Sequence, residues 1–265
     1  MICLAGAALA APQAAAREID AADLYDLPAA DVVLLGEVHD NPVHHAHQAI
    51  AVEALDPSAV VFEMLSPDQA ARVTPRLLAS EEALGAVLGW EASGWPGFSM
   101  YYPIFVAAGD AAIVGAAAPR AEVRAAAEAG AGAVFGAGAA RFGLDAPLPA
   151  PQQMLREAGQ LMAHCNALPS EALPGMVEAQ RLRDAWLARA ALAALEETGG
   201  PVVVITGNGH ARRDWGVPGL LEVAAPDVEV LALGQFEDAA EADPPFDLWL
   251  VTDPVERPDP CAAFR

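Results

Sequence analysis

Six apolar runs of strand length, the first four separated by segments of helical periodicity, constrain this chain more than any other feature. They are "DVVLLGEVHD" (31–40), "AVVFEML" (59–65), "AAIVGAAAP" (111–119), "PVVVITGNGH" (201–210), "VEVLALG" (228–234) and "FDLWLVTD" (246–253). Runs without polar alternation belong to strands covered on both faces, and strands that alternate with helices build a mostly parallel sheet flanked by helices. The expected fold class is therefore α/β. A chain of 265 residues holds one such domain, expected over 29–252.

The periphery reads differently. Residues 1–28 resemble the rear of a secretory signal, an apolar stretch and then small residues of A-x-A character, but without a basic start. A disordered leader is expected there. It places the protein in the periplasm or cell envelope, or in the cytoplasm if the leader is not a signal. Two long helical patterns over 151–198 read as an insertion covering one end of the sheet, residues 130–150 as a loop without chemistry, and 253–265 as an exposed Pro-rich tail. No window of eighteen unbroken apolar residues follows the leader, so no membrane span is expected.

Charge excludes several functions. Asp and Glu number 36 against 14 basic residues, a net charge of −22, which disfavours nucleic acid. Every basic residue is Arg, which removes lysine Schiff bases and the P-loop lysine. There is no G-x-S-x-G elbow, and "GAGAVFGAG" lacks the Val-rich strand and later acid of a dinucleotide site. Cys165 and Cys261 are able to pair in an oxidising compartment, although spacing alone does not show that they meet.

Two strand ends match. "VVLLGEVH" and "VVVITGNGH" each break at Gly and place His three residues later, as Gly36 with His39 and Gly207 with His210. In a parallel sheet both histidines lie at carboxyl ends of strands, where α/β proteins build their sites. Glu37 and Glu63 belong to the same edge. Glu63, embedded in "VVFEML", needs a cation, a donor or a metal as partner. Asn41 and Pro42 open a helix on which His44, His47 and Gln48 share a face and His45 turns away. Arg212 and Arg213, beside the second turn, suit an anionic ligand group. "SGWPGFSMYYPIF" (93–105) offers Tyr101 and Tyr102, able to ligate ferric haem iron, among flat aromatic walls, and Gln180, Arg183 and Asp184 share a helical stripe.

Taken together, "GEVHDNPVHHAHQ", "VVFEM", "YYPIF", "AQRLRDAWLA" and "GNGHARRDWGVP" resemble the ChaN-like haem-binding uptake family of the Tiki and TraB superfamily, over about residues 30–235. The resemblance implies an α/β haem-binding protein of iron acquisition that dimerises around haem. It further implies Tyr101 or Tyr102 as iron ligand and His44 or His45 as propionate contact. The wider superfamily implies an alternative. His39 and His210, with Glu37 and Glu63, would serve a hydrolase, with His39, His210 and Glu63 holding manganese, cobalt or zinc or acting on water directly.

Overall fold

The computed structural model describes residues 16–259 and 261–262. Seven strands form one sheet: β1 (Arg17–Glu18), β2 (Val32–Leu35), β3 (Ala59–Phe62), β4 (Ala112–Gly115), β5 (Val202–Ile205), β6 (Val230–Glu237) and β7 (Leu248–Thr252). The helices are α1 (Pro42–Leu55), α2 (Pro67–Ala70), α3 (Glu81–Leu88), α4 (Phe98–Ala107), α5 (Arg120–Ala129), α6 (Ala131–Phe135), α7 (Ala150–Ala163), α8 (Leu173–Thr198), α9 (Asn208–Ala211) and α10 (Val217–Ala224). The strand order is β1-β7-β6-β2-β5-β3-β4, and every pairing is parallel, as the unalternating Val-rich runs require.

Side chains alternate across the sheet and bury two cores. Val32, Leu34, Val61, Val202 and Val204 face α8, α10 and the α5–α6 segment, whereas Val33, Leu35, Val60, Phe62 and Ile205 face α1, α3 and α4. Helix starts follow local chemistry. The Asn41 side chain accepts from Val43 N–H with Pro42 at the first position, and Ser66 forms a capping box with Gln69.

Four boundaries depart from expectation. Residues 1–15 of the expected leader lie outside the described residues, but Arg17 and Glu18 pair with β7 and Leu24 is buried, so order begins well before 28. The helical periodicity that follows Ser66 to about residue 90 predicts a continuous helix, but Pro75 disfavours helical backbone at Thr74, and a 3-10 turn at Leu77–Ala79 and a new Ser80 cap follow. The 130–150 segment is ordered, because Phe135, Phe142 and Leu144 enter the core. Over 151–198, α7 is peripheral but α8 buries Leu182, Ala185, Ala188 and Ala191 against the sheet, as the crossover helix into β5.

The tail is tied at two points. Arg257 pairs with Asp40 and Glu237, and Cys165 and Cys261 form a disulfide. Among the described residues no helix is long and apolar enough to cross a membrane.

Candidate functional site

Topology brings the two Gly-x-x-His turns together. β2 and β5 are adjacent, with Leu35 opposite Ile205, so the chain leaves both strands at the same edge and the same height. β3 lies on the other side of β5, with Phe62 also opposite Ile205, which brings Glu63 beside Thr206. Connections leave β2 toward β3 and leave β5 in the opposite direction toward β6, and such a switch in strand order is the usual position for a ligand crevice.

The glycines interlock the turns. Neither has a positive φ; each is needed for close approach. A Cβ on Gly36 would meet Asn208 and the Leu233 carbonyl, and one on Gly207 would meet the His39 ring.

The first turn centres on Glu37, which is buried. Its Oε1 accepts from His39 Nδ1 at 2.7 Å and from the Tyr101 hydroxyl at 2.9 Å, while His45 Nδ1 lies 3.3 Å from Oε2. Burial and then the Glu37 charge push the Tyr101 hydroxyl far above its ordinary range, which holds the phenol protonated. His39 is raised as well: burial opposes the charged ring, but Glu37 and Glu63 outweigh it. The His39 side chain is 38% exposed and packs edge-on against Trp95 with ring centroids 4.9 Å apart.

The second turn centres on His210. Nδ1 lies 2.6 Å from Asp184 Oδ1 and Nε2 lies 3.4 Å from Glu63 Oε1. Burial alone would strip the ring of its proton, yet Glu63 and Asp184 push its pKa up to about 10. Glu63, despite burial, is held far below the usual carboxylate range by His210 and also accepts from Thr206 Oγ1 at 2.6 Å and Gly207 N–H at 2.9 Å. The partner that Glu63 requires is thus an imidazolium. Among the described residues no group of three or more His, Cys, Asp or Glu side chains is arranged to hold a metal ion, which leaves the expected manganese, cobalt or zinc at His39, His210 and Glu63 without a ligand set.

Glu63 and His210 open onto a cavity of about 860 Å³. Met64, Trp95, Ala116, Val123 and Leu187 supply apolar wall, and Arg120, Arg124 and Arg183 supply charge. Arg120 and Arg124 stand one helical turn apart on α5, and Arg183 is on α8 one residue before Asp184. Among the described residues no carboxylate forms an ion pair with these three arginines.

Several expected residues serve otherwise. Arg212 pairs with Asp214 and stacks on Trp215, and Arg213 is held by Asp247 and the Val230 carbonyl, so neither is available at the cavity. His44 is fully buried between Val38 N–H and the Thr252 hydroxyl. His45, expected to turn away, is buried against Tyr101 with its Nε2–H on the His39 carbonyl, because α4 covers that side of α1. Neither presents an atom to a propionate. Tyr102 donates to the Leu78 carbonyl at 2.8 Å. Sequence reasoning missed Arg120 and Arg124; the only signal was their four-residue spacing at the start of a helix.

No protein of curated function matches the chain. Among solved structures, one described as cofacial haem binding to ChaN of Campylobacter jejuni shares the fold, with TM-score 0.61 and 18% identity over 86% of this chain and 89% of that one. The type III effector HopBA1 is more distant, with TM-score 0.43 and 14% identity over 84% and 88% of the two chains. Residues 24–221 match the family described as haem-binding uptake, Tiki superfamily, ChaN, and with three-quarters of its length inside that match the chain belongs to this family.

Proposed function

We propose that the chain binds haem for iron acquisition at the cavity beside the paired turns, with its propionates on Arg120, Arg124 and Arg183. The observation that carries this reading is the gathering, around one cavity, of three arginines that among the described residues have no carboxylate partner, in a chain of net charge −22. Haem presents two carboxylates on a flat apolar ring, and the lining fits both parts: guanidinium forks for the carboxylates, and Trp95, Met64 and Leu187 for the ring. The N-terminus of α5, next to the lining residues Ala117 and Ala118, adds a favourable dipole for an anion. The description of the family and the haem of the Campylobacter jejuni relative support the same ligand.

The reading extends to a homodimer around haem and to the periplasm or cell envelope. A disulfide joining residues 96 positions apart supports an oxidising compartment. Light scattering with and without hemin tests the dimer.

Hemin titration tests the ligand: saturable binding is expected, with Arg120→Ala/Arg124→Ala/Arg183→Ala weakening it at least tenfold. Equal affinity of the triple variant would remove the arginines from the reading.

Hydrolysis is a second reading with one observation in its favour. Glu37 holds His39 by Nδ1, which leaves Nε2 to accept a proton from water. Turnover of an ester or peptide panel that His39→Gln abolishes would establish it, and absence of turnover would remove it.

A further inference from the structure

We infer that the outer face of α7 is a docking surface for a second copy of this chain, the two α7 helices crossing on a two-fold axis. The contact needs no haem and uses no residue of the cavity lining, so it is separate from the dimer around haem proposed above and does not rest on the haem reading.

The helix lies inside out. Over Ala150–Ala163, three- and four-residue spacing puts Gln152, Gln153, Arg156, Glu157 and Gln160 on one side and Met154, Leu155, Ala158, Gly159 and Met162 on the other. A surface helix ordinarily turns its apolar stripe inward, because burial of that stripe is what holds it to the domain. In α7 the polar side faces the protein and Arg156 is its one buried residue. Met154, Leu155 and Met162 are instead 68%, 61% and 71% exposed.

Three anchors fix this orientation. Near the start of the helix Gln152 donates to the Asp214 carbonyl at 3.3 Å. In the middle the Arg156 guanidinium lies 5.6 Å from the Trp215 ring centroid and is drawn inward by the buried Asp184 carboxylate. Just past the end, the Cys165–Cys261 disulfide ties the chain to the tail. The stripe is therefore held in solvent and is not free to roll inward.

Charge and shape select the occupant. Two chains of net charge −22 repel wherever their acids meet, whereas the five stripe residues carry no charge. The stripe is also self-complementary, with bulky Met154 and Leu155 at one end, Ala158 and Gly159 in the middle and bulky Met162 at the other. An antiparallel crossing at Ala158 and Gly159 lets the backbones approach and sets Met154 and Leu155 of each copy against Met162 of the other, the reciprocity that a two-fold axis requires. A glycine inside a helix is unfavourable, and a Cβ at Gly159 would meet nothing within 4 Å, so packing inside the chain does not call for this one. A single pair of crossing helices buries less than the roughly 1,200 Å² of a standard interface, so the expected dissociation constant is weak, on the order of 100 μM.

Sedimentation velocity of the hemin-free full chain, from about 10 μM to about 1 mM, is expected to show a reversible monomer–dimer equilibrium. Gly159→Leu is expected to weaken it about tenfold or more by wedging the helices apart, while the circular dichroism spectrum and urea midpoint stay at or above wild type, because leucine favours helix and meets nothing within its own chain. Met162→Glu is expected to weaken it similarly by placing a charge in the stripe. A monomer throughout the range would overturn the inference. So would a dimer as tight in Gly159→Leu and Met162→Glu as in wild type, which would put the contact on another face. A monomeric chain that floats with phosphatidylcholine vesicles, and stops floating as Met162→Glu, would give the stripe to a lipid surface and overturn it too. Hemin affinity of Gly159→Leu is expected to match wild type, so the haem reading and this inference stand or fall separately.

Discussion

Gly207 leaves the space that the His39 imidazole occupies: a Cβ at this glycine would lie 2.8 Å from His39 Nε2. Backbone strain plays no part, since Gly207 has φ −67° and ψ 154°, values open to any residue. Gly207→Ala is therefore expected to displace the ring at a cost of about 1 kcal/mol, because a partly exposed imidazole is able to swing aside. Gly36→Ala is expected to cost more, about 2–3 kcal/mol, because its Cβ would lie 2.9 Å from the Leu233 carbonyl, which β6 holds in place. Urea unfolding of the two variants checks the order.

His44 sets an acid limit on stability. Burial lowers its pKa to about 4 from the ordinary 6.5, so the fold keeps the ring neutral. Above pH 6.5 both folded and unfolded chains hold it neutral and its contribution is complete; as pH falls toward 4 the unfolded chain binds a proton that the fold refuses. The loss amounts to about 3 kcal/mol, with about 2 kcal/mol of it gone by pH 5. Denaturant unfolding at pH 7 and pH 5 is expected to show this slope in wild type and a flatter one in His44→Gln.

His210 sets the opposite limit. Its pKa is raised to about 10, so its contribution is complete below the unfolded value of 6.5 and is lost as pH rises through about 10. Asp184→Asn removes one of the two carboxylates that hold the imidazolium. The expected result is a lower His210 pKa in an NMR titration and a loss of stability with rising pH that is smaller and ends nearer neutrality. An unchanged titration would mean that Glu63 alone holds the proton.

Reduction of the disulfide is expected to weaken the fold. The bridge closes a loop of 96 positions between Cys165 and Cys261, for which chain entropy gives about 4 to 5 kcal/mol. Cys165→Ser/Cys261→Ser should lower the unfolding free energy by up to that amount, and wild type with reductant should match it. Intact mass before and after reduction reports whether the bridge is present.

Much of the site's location was legible in the sequence, because a Val-rich run ending in Gly-x-x-His says both which edge of a parallel sheet the imidazole occupies and that the backbone there is crowded. Glu63 was legible for a related reason, an acid at the end of a buried strand. Other assignments failed where pairing across the fold decides the outcome. Arg212 and Arg213 looked free because Asp247 is 34 positions from Arg213, and nothing local marks Asp214 as the partner of Arg212. His45 looked solvated because helical spacing turns it from His44 and His47, but α1 is covered on both sides at its start, by α4 on one and by Gln235 of β6 on the other. The cavity arginines come from α5 and α8, whose approach only the packed layers reveal.

A crystal structure of the hemin complex tests the placement of haem most directly. The expected result is propionate oxygens within hydrogen-bond distance of at least two of Arg120, Arg124 and Arg183. Haem lying instead in the shallow apolar groove between α1 and α4, about 500 Å³ and lined by Pro42, Ala46, Ile50, Met100 and Pro103, would contradict it.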